Sequence, residues 1–175
     1  MNRMEYDLVG EMAVDADAYY GIHALRAAEN FPITHTRLPG DMIVSMAWIK
    51  KACARANRVT GALSSRVAEA IERACDELID GKLHDQFIVD PIQGGAGTST
   101  NMNANEVIAN RAIELLGGVK GDYTLVHPND HVNCGQSTND IYPTCVKMTL
   151  YRASEGLQRE MEALVSVLEE RAADF

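Results

Sequence analysis

Several features that would assign a protein to a broad class are missing from this sequence of 175 residues. No apolar run approaches the roughly 20 residues that a membrane-spanning helix requires, and the N-terminal MNRMEYDLVGEM lacks the apolar core of a secretion signal. The 16 Lys and Arg residues are outnumbered by 25 Asp and Glu residues, with no basic cluster to attract phosphates. We therefore expect a cytoplasmic protein that binds neither membranes nor nucleic acid.

Cysteine is present but forms no pattern that would carry chemistry. The four cysteines, Cys53, Cys75, Cys134 and Cys145, include no C-x-x-C pair. In a reducing compartment, isolated thiols of this kind are typically buried and pack as small hydrophobic residues. We expect this of all four.

The segment VHPNDHVNCG, residues 126–135, raises the question of a metal site. His127, His131 and Cys134 have spacings that metal ligands could use. Pro128 argues against the helix that would align the two histidines on one face. The favoured interpretation is that both histidines are hydrogen-bonding or structural residues that orient the loop before Ser137. A metal site is the less favoured alternative.

Helical periodicity dominates the chain after residue 40, whereas residues 1–40 show too little of it to predict a helix and end in the turn-rich HTRLPGD. Apolar spacing predicts helices over 42–59, 65–79 and 101–116, the first with Asp41 as N-cap. The pair Gly117-Gly118 is expected to stop the third helix. The fold class is therefore predicted to be mainly α.

The last segment, from Pro143 to Ala173, has the apolar spacing of a bundle helix. Its seam consists of Val146, Leu150, Ala153, Leu157, Met161, Leu164 and Leu168. The helix would be about 45 Å long, which is more than a compact small domain needs. We predict two domains, 1–140 and 141–175, self-association through the seam, and a chain that is the N-terminal portion of a longer protein.

Two polar runs precede predicted helices: GGAGTSTNMN, residues 94–103, and GQSTND, residues 135–140. Ser, Thr, Asn and Asp are favoured helix caps, so both runs have a structural interpretation. Each run nevertheless holds more such residues than one cap needs, and a helix N-terminus that presents several neutral donors is a ready anion site. Both interpretations remain open from the residues alone.

No nucleotide or catalytic signature accompanies these runs. Gly94, Gly95 and Gly97 fit neither a Walker motif nor the dinucleotide fingerprint. Spacing identifies no nucleophile, no paired carboxylates and no general base for a difficult proton abstraction.

Three segments resemble the aspartase/fumarase superfamily: DAYYGIHALRAAENF (17–31), GGAGTSTNMNANEV (94–107) and HPNDHVNCGQSTND (127–140). The resemblance covers essentially the whole chain in order. Where fumarases have YWG with a Gln-rich continuation, GTQSNMN and QSSND, this chain has YYGIH, GTSTNMN and QSTND. These departures favour the aspartase branch.

The resemblance implies reversible anti-elimination of ammonia from L-aspartate to give fumarate, without an organic cofactor. In this family a base removes a C3 proton, and preorganised donors hold the resulting aci-carboxylate. The substrate ligands it implies are Thr98, Asn101, Ser137, Thr138 and Asn139. His127, Asn129 and Asp130 match a loop that forms a secondary anion site in fumarases.

The resemblance also implies what these 175 residues lack. The family's catalytic serine, on a flexible Gly-Ser-Ser loop, and its Thr-His pair are not in this sequence, so the catalytic base is expected beyond Phe175. Family members are homotetramers with a shared bundle of long helices, of which 143–175 resembles the first. We therefore expect no ammonia-lyase activity from this chain by itself. The alternatives are a fumarate hydratase or another lyase of the superfamily, or a non-catalytic helical association module.

Overall fold

The computed structural model describes all of residues 1–175 and shows a two-stranded hairpin followed by five α-helices. The elements are β1 (Asn2–Tyr6), β2 (Glu11–Asp15), α1 (Ile22–Asn30), α2 (Gly40–Val59), α3 (Ser65–Ile79), α4 (Thr98–Leu115) and α5 (Thr138–Asp174). A single 3-10 turn lies at His84–Gln86 and a π-helical turn at Pro128–Val132. The mainly α fold class is confirmed.

The prediction that residues 1–40 are irregular is wrong, because they contain an antiparallel hairpin and α1. In the hairpin, Arg3 pairs with Val14. Its turn is closed by Asp7, whose Oδ1 accepts the N–H groups of Val9 and Gly10 at 2.9 and 3.0 Å. The inward residue of β1 is the charged Glu5, only 4% exposed, so the alternation that normally reveals a strand is masked.

Helix α1 was missed because nothing local caps it. Its N-cap is Gly21, which has no side chain to accept a hydrogen bond. Two buried carboxylates replace the missing cap: Glu106 accepts the N–H groups of Gly21, His23 and Ala24, and Glu5 accepts that of Ile22, at 2.8 to 3.0 Å. A Cβ on Gly21 would lie 2.6 Å from the Tyr123 hydroxyl, so the close approach requires glycine.

The later helices follow the predicted periodicity and differ mainly at their starts. Helix α3 has the predicted bounds, and Ser64 caps it by accepting the Val67 N–H. Helix α2 begins with Pro39 as N-cap, so the prediction of Asp41 as cap is wrong, although Asp41 lies in the first turn. Helices α4 and α5 start three and five residues earlier than predicted.

Helix α4 is the centre of the core, with 12 of its 18 residues buried against its neighbours. It ends at Leu115, one residue before the predicted end, and Gly117 follows the C-cap Leu116 in the left-handed region. All four cysteines are free, but only Cys75 and Cys145 are buried. The prediction of burial is therefore wrong for Cys53 and Cys134, which are half-buried.

Helix α5 is anchored at its start and leaves the core after about three turns. Ile141 and Cys145 are buried, and Thr149 Oγ1 bonds to Ser45 of α2 at 3.0 Å. Beyond that point the predicted seam is exposed: Leu150, Leu157, Met161, Leu164 and Leu168. The helix is followed by Phe175, whose side chain is also exposed. None of the helices combines the length and apolar character that crossing a membrane demands.

Candidate functional site

The fold brings the two polar runs together at the N-termini of α4 and α5. Asn101 Nδ2 donates to Thr138 Oγ1 at 3.0 Å, which joins one run to the other. The ring of Tyr142 lies directly over Gly97, where a Cβ would be only 2.1 Å from Tyr142 Cδ2. The close approach of the two helix starts therefore depends on a glycine at position 97.

The two helices differ in whether capping explains the polar run at their start. Helix α4 has Gly97 as its N-cap, in the left-handed region, with no side-chain cap. Gln93, from outside the helix, accepts the Thr100 N–H at 2.9 Å. In α5, by contrast, Ser137 Oγ accepts the Asn139 N–H at 3.2 Å. Capping thus accounts for Ser137 but not for the polar residues that open α4.

The predicted ligands differ in their exposure. Thr98, Ser137 and Asn139 are exposed, Thr138 is half-buried and Asn101 is 1% exposed. Thr98 also lines an open cavity of about 250 Å³ that includes the His23 and Arg26 side chains. The hydrogen bond to Glu106 raises the pKa of His23, and Arg26 is paired with Asp7 at 2.8 Å. Both basic side chains beside Thr98 are therefore paired with carboxylates, His23 with Glu106 and Arg26 with Asp7.

A polar cluster adjoins the Asn101–Thr138 contact, with its lysine and two of its amides buried and the other two amides half-buried. Its centre is Asn133 Oδ1, which accepts from Lys50 Nζ at 2.9 Å, from Asn101 Nδ2 at 3.1 Å and from Asn105 Nδ2 at 3.3 Å. Lys50 also donates to Gln136 Oε1 at 2.8 Å. We name Lys50, Asn101, Asn105, Asn133 and Gln136 the amide cluster.

Lys50 was missed by the sequence reasoning, although a signal was available. It lies seven residues after Ile43 and four before Ala54, in phase with buried positions of α2. Lys50 is 0% exposed, and burial lowers its pKa to about 7. A lysine in phase with the apolar face of a helix indicates a functional residue.

The residues of the predicted secondary anion site lie on the π-helical turn. His127 Nδ1 accepts the N–H groups of Asn129 and Asp130 at 3.2 and 3.1 Å, so these donors are already used. His131 Nδ1 accepts the His127 N–H at 2.8 Å, and burial lowers the His131 pKa. Asn129 and Asp130 are exposed. The turn is held by its own histidines, and a second anion site there stays a prediction.

No group of three or more His, Cys, Asp or Glu side chains is arranged to hold a metal ion. His127 and His131 take part in the hydrogen bonds of their own turn, as the structural interpretation expects. The site presents neutral donors, two helix N-termini and the buried amine of Lys50. The location of a catalytic base beyond Phe175 stays a prediction.

Comparison with known proteins identifies the family of the chain. A family model described as "Lyase" matches residues 10–175. The chain belongs to this lyase family. Lyase-family relatives include the aspartate ammonia-lyase of Bacillus subtilis (strain 168), 52% identical over 99% of this chain and 36% of that protein. The class II fumarate hydratase of Thermosynechococcus vestitus is 49% identical over 99% of this chain and 37% of its own length.

A solved lyase structure has the same fold. The crystal structure of fumarate lyase:delta crystallin from Brucella melitensis in native form has a TM-score of 0.93 and 47% identity, covering all of this chain and 41% of its own. The resemblance to the aspartase/fumarase superfamily is thereby confirmed. The chain spans little more than a third of the length of the curated lyases it matches.

Proposed function

We propose that this chain is part of an aspartate ammonia-lyase, which converts L-aspartate reversibly to fumarate and ammonia. The observation that carries the proposal is the contact of Asn101 with Thr138, which joins the N-termini of α4 and α5 above a buried lysine. Of the ligands that the resemblance implies, Thr98, Ser137, Thr138 and Asn139 would hold the substrate carboxylate directly. Asn101, whose two amide N–H groups are used by Asn133 and Thr138, would act through Thr138.

The arrangement suits the intermediate that such an elimination forms. Removing a proton next to a carboxylate places additional negative charge on that group. Hydroxyl and amide donors at two helix N-termini stabilise this charge without being reorganised during the reaction. Asp140, in the first turn of α5, is the one acidic residue of the second run.

The site as described is a binding half-site. None of its residues is a free base placed to remove the C3 proton, and the proposal assigns that role to a residue beyond Phe175. We therefore expect residues 1–175 to bind substrate without turning it over. The division into 1–140 and 141–175, the secondary site at His127, Asn129 and Asp130 and the cytoplasmic location belong to the same proposal.

Fumarate hydratase is the second candidate function, favoured by the 49% identity to a class II fumarate hydratase. The two activities share fumarate as product and differ in the leaving group, which is ammonia from aspartate or water from malate. The three motif departures towards YYGIH, GTSTNMN and QSTND favour the first.

The test is fumarate formation, followed by ultraviolet absorbance, with L-aspartate and with L-malate as substrates. We expect the product of the complete reading frame to react with aspartate and the 175-residue chain to be inactive. Activity with malate alone would replace the proposal by fumarate hydratase. Turnover of aspartate by the purified chain would contradict the half-site description.

Binding to the chain itself provides the control for the site residues. Succinate, a non-reacting dicarboxylate, is expected to bind wild type and to bind about tenfold more weakly after Thr98→Ala or Thr138→Val, since a hydrogen bond to a charged group contributes about 1.5–3 kcal/mol. Ser65→Ala, at the start of α3, is the matched control. Equal affinity in all four proteins would contradict the carboxylate site.

The exposed seam of α5 is proposed to bind a second copy of the chain. An apolar stripe of this length is rarely left in water. Leu164→Glu should shift sedimentation towards monomer, whereas Ser166→Glu, on the other side of the helix, should not. Sedimentation of the unmodified chain as a clean monomer would contradict this proposal.

A further inference from the structure

Lys50 is a buried cation without an acidic partner. Its Nζ contacts only the amide oxygens of Asn133 and Gln136, at 2.9 and 2.8 Å, and no salt bridge of the chain includes it. Burying an ammonium group without a counter-charge is strongly unfavourable. A leucine or methionine would fill this inward position of α2 more favourably, so packing does not explain the lysine.

The ammonium group fixes the orientation of the amides around it. Because an ammonium has donors only, the oxygen of Asn133 must face Lys50. That oxygen cannot donate, so Asn101 must turn its nitrogen towards it, at 3.1 Å. The second N–H of Asn101 is then directed to Thr138 Oγ1 at 3.0 Å.

This orientation of the amides is energetically unfavourable at two positions. The oxygens of Asn101 and Asn105 are buried and have no hydrogen-bond partner. Rotating the Asn101 amide would place its oxygen against Asn133 Oδ1, and two acceptors in contact repel. The unpaired oxygens are therefore what we expect if Lys50 imposes the direction of the whole cluster.

The chain of hydrogen bonds ends at the proposed substrate ligand. Since Thr138 Oγ1 accepts from Asn101, its own hydroxyl proton is free for another acceptor. With the opposite orientation the hydroxyl would donate to Asn101 and present lone pairs to an incoming carboxylate. We propose that Lys50 is a positioning residue of the carboxylate site, which acts through Asn133 and Asn101 to direct the Thr138 hydroxyl proton towards the bound anion.

This inference rests on the proposed function and adds an electrostatic consequence. The titratable groups that act on Lys50 are the thiols of Cys53 on α2 and Cys75 on α3, and burial raises the pKa of both, so neither supplies negative charge at neutral pH. The facing groups of the amide cluster are neutral. A bound dicarboxylate is then the nearest available counter-charge, and its binding should weaken as the pH rises above about 7.

The experiment measures succinate binding to the chain by calorimetry between pH 6 and 9. Lys50→Met is compared with Lys51→Met, whose ammonium pairs with Asp76 away from the cluster. We expect wild type and Lys51→Met to lose affinity above pH 7. Lys50→Met should bind about tenfold more weakly at pH 6 and should lose affinity less steeply with pH, since only the contribution of His23 beside Thr98 remains. In a Thr138→Val background, Lys50→Met should have little further effect.

A ligand-free measurement keeps the inference testable if Lys50→Met fails to fold. The side-chain amide resonances of Asn101 and Asn133 in the unmodified chain should shift with pH, with a midpoint near 7. Absence of this titration, or Lys50→Met binding succinate with wild-type affinity and pH profile, would overturn the inference and leave the proposed function standing. Failure of wild type to bind succinate would contradict the proposed function, and the inference with it.

Discussion

Glu106→Ala is expected to destabilise the chain by about 3–5 kcal/mol, the range found when one partner of a buried charged network is removed. The Glu106 carboxylate is 0% exposed and accepts from three backbone N–H groups at the start of α1 and from His23 Nδ1 at 3.0 Å. Without it the buried N–H groups of Gly21 and Ala24 are left unpaired, at about 1–3 kcal/mol each. Urea denaturation followed by circular dichroism measures the loss.

Glu114→Ala is the matched control for Glu106. Glu114 lies on the same helix, two turns later, but its side chain is 40% exposed and bonds to Arg111 and Tyr19 at the surface. We expect a loss of about 1 kcal/mol or less. Equal losses in the two variants would show that the α1 cap is not what makes Glu106 important.

The pH dependence of the free energy of unfolding provides a second test of the Glu106 cap. Because the hydrogen bond to Glu106 raises the His23 pKa above 6.5, protonated His23 stabilises the fold at low pH. This contribution is complete below the unfolded-state pKa and is lost as the pH rises through the folded-state value. Glu106→Gln, which keeps the volume and removes the charge, should abolish it.

Gly97→Ala is expected to have the second largest effect, about 3 kcal/mol. A left-handed φ of +81° costs a non-glycine residue about 1–2 kcal/mol, and overpacking adds about 1–3. The overpacking arises because the new Cβ would lie 2.1 Å from the Tyr142 ring. Separating α4 from α5 would break the Asn101–Thr138 bond, so succinate binding should be lost together with stability.

Gly61→Ala separates the cost of the left-handed backbone from the cost of overpacking. Gly61 has nearly the same φ, +78°, and a Cβ there would meet nothing within 4 Å. Gly61→Ala should therefore lower the free energy of unfolding by only about 1–2 kcal/mol. Adding Tyr142→Ala to Gly97→Ala should recover part of the loss by removing the clash. If Gly97→Ala and Gly61→Ala behave alike, the close approach of α4 and α5 does not depend on Gly97.

The sequence predicted those elements whose signals are local. Helix α3 has its own cap at Ser64 and one apolar face, and its bounds were predicted correctly. Helix α1 is capped by Glu5 and Glu106, 17 and 85 residues from the groups they bind, so no local rule could find it. Strand β1 was missed for the related reason that its inward residue is one of these carboxylates.

The residues of the candidate site also differ in whether a local sequence pattern reveals them. The Ser, Thr and Asn residues at the two helix starts were visible as polar runs, and their roles as substrate ligands remain a prediction. Lys50 and Asn133 were not found, because their contact spans 83 residues and exists only after α2 packs beside the loop before α5. Short-range spacing identifies candidate ligands, whereas the groups that orient them come from distant segments.

The shared acceptor Asn133 Oδ1 constrains how this protein can evolve. Three donors from two helices meet at this atom, so a change that removes one donor alters the environment of the others. A lineage that replaced Lys50 by an apolar residue would leave Gln136 Oε1 without its donor and Asn133 Oδ1 with only the two amide donors of α4, until those positions also changed. Substitutions in the amide cluster are therefore expected to be inherited together, and single changes there to be removed by selection.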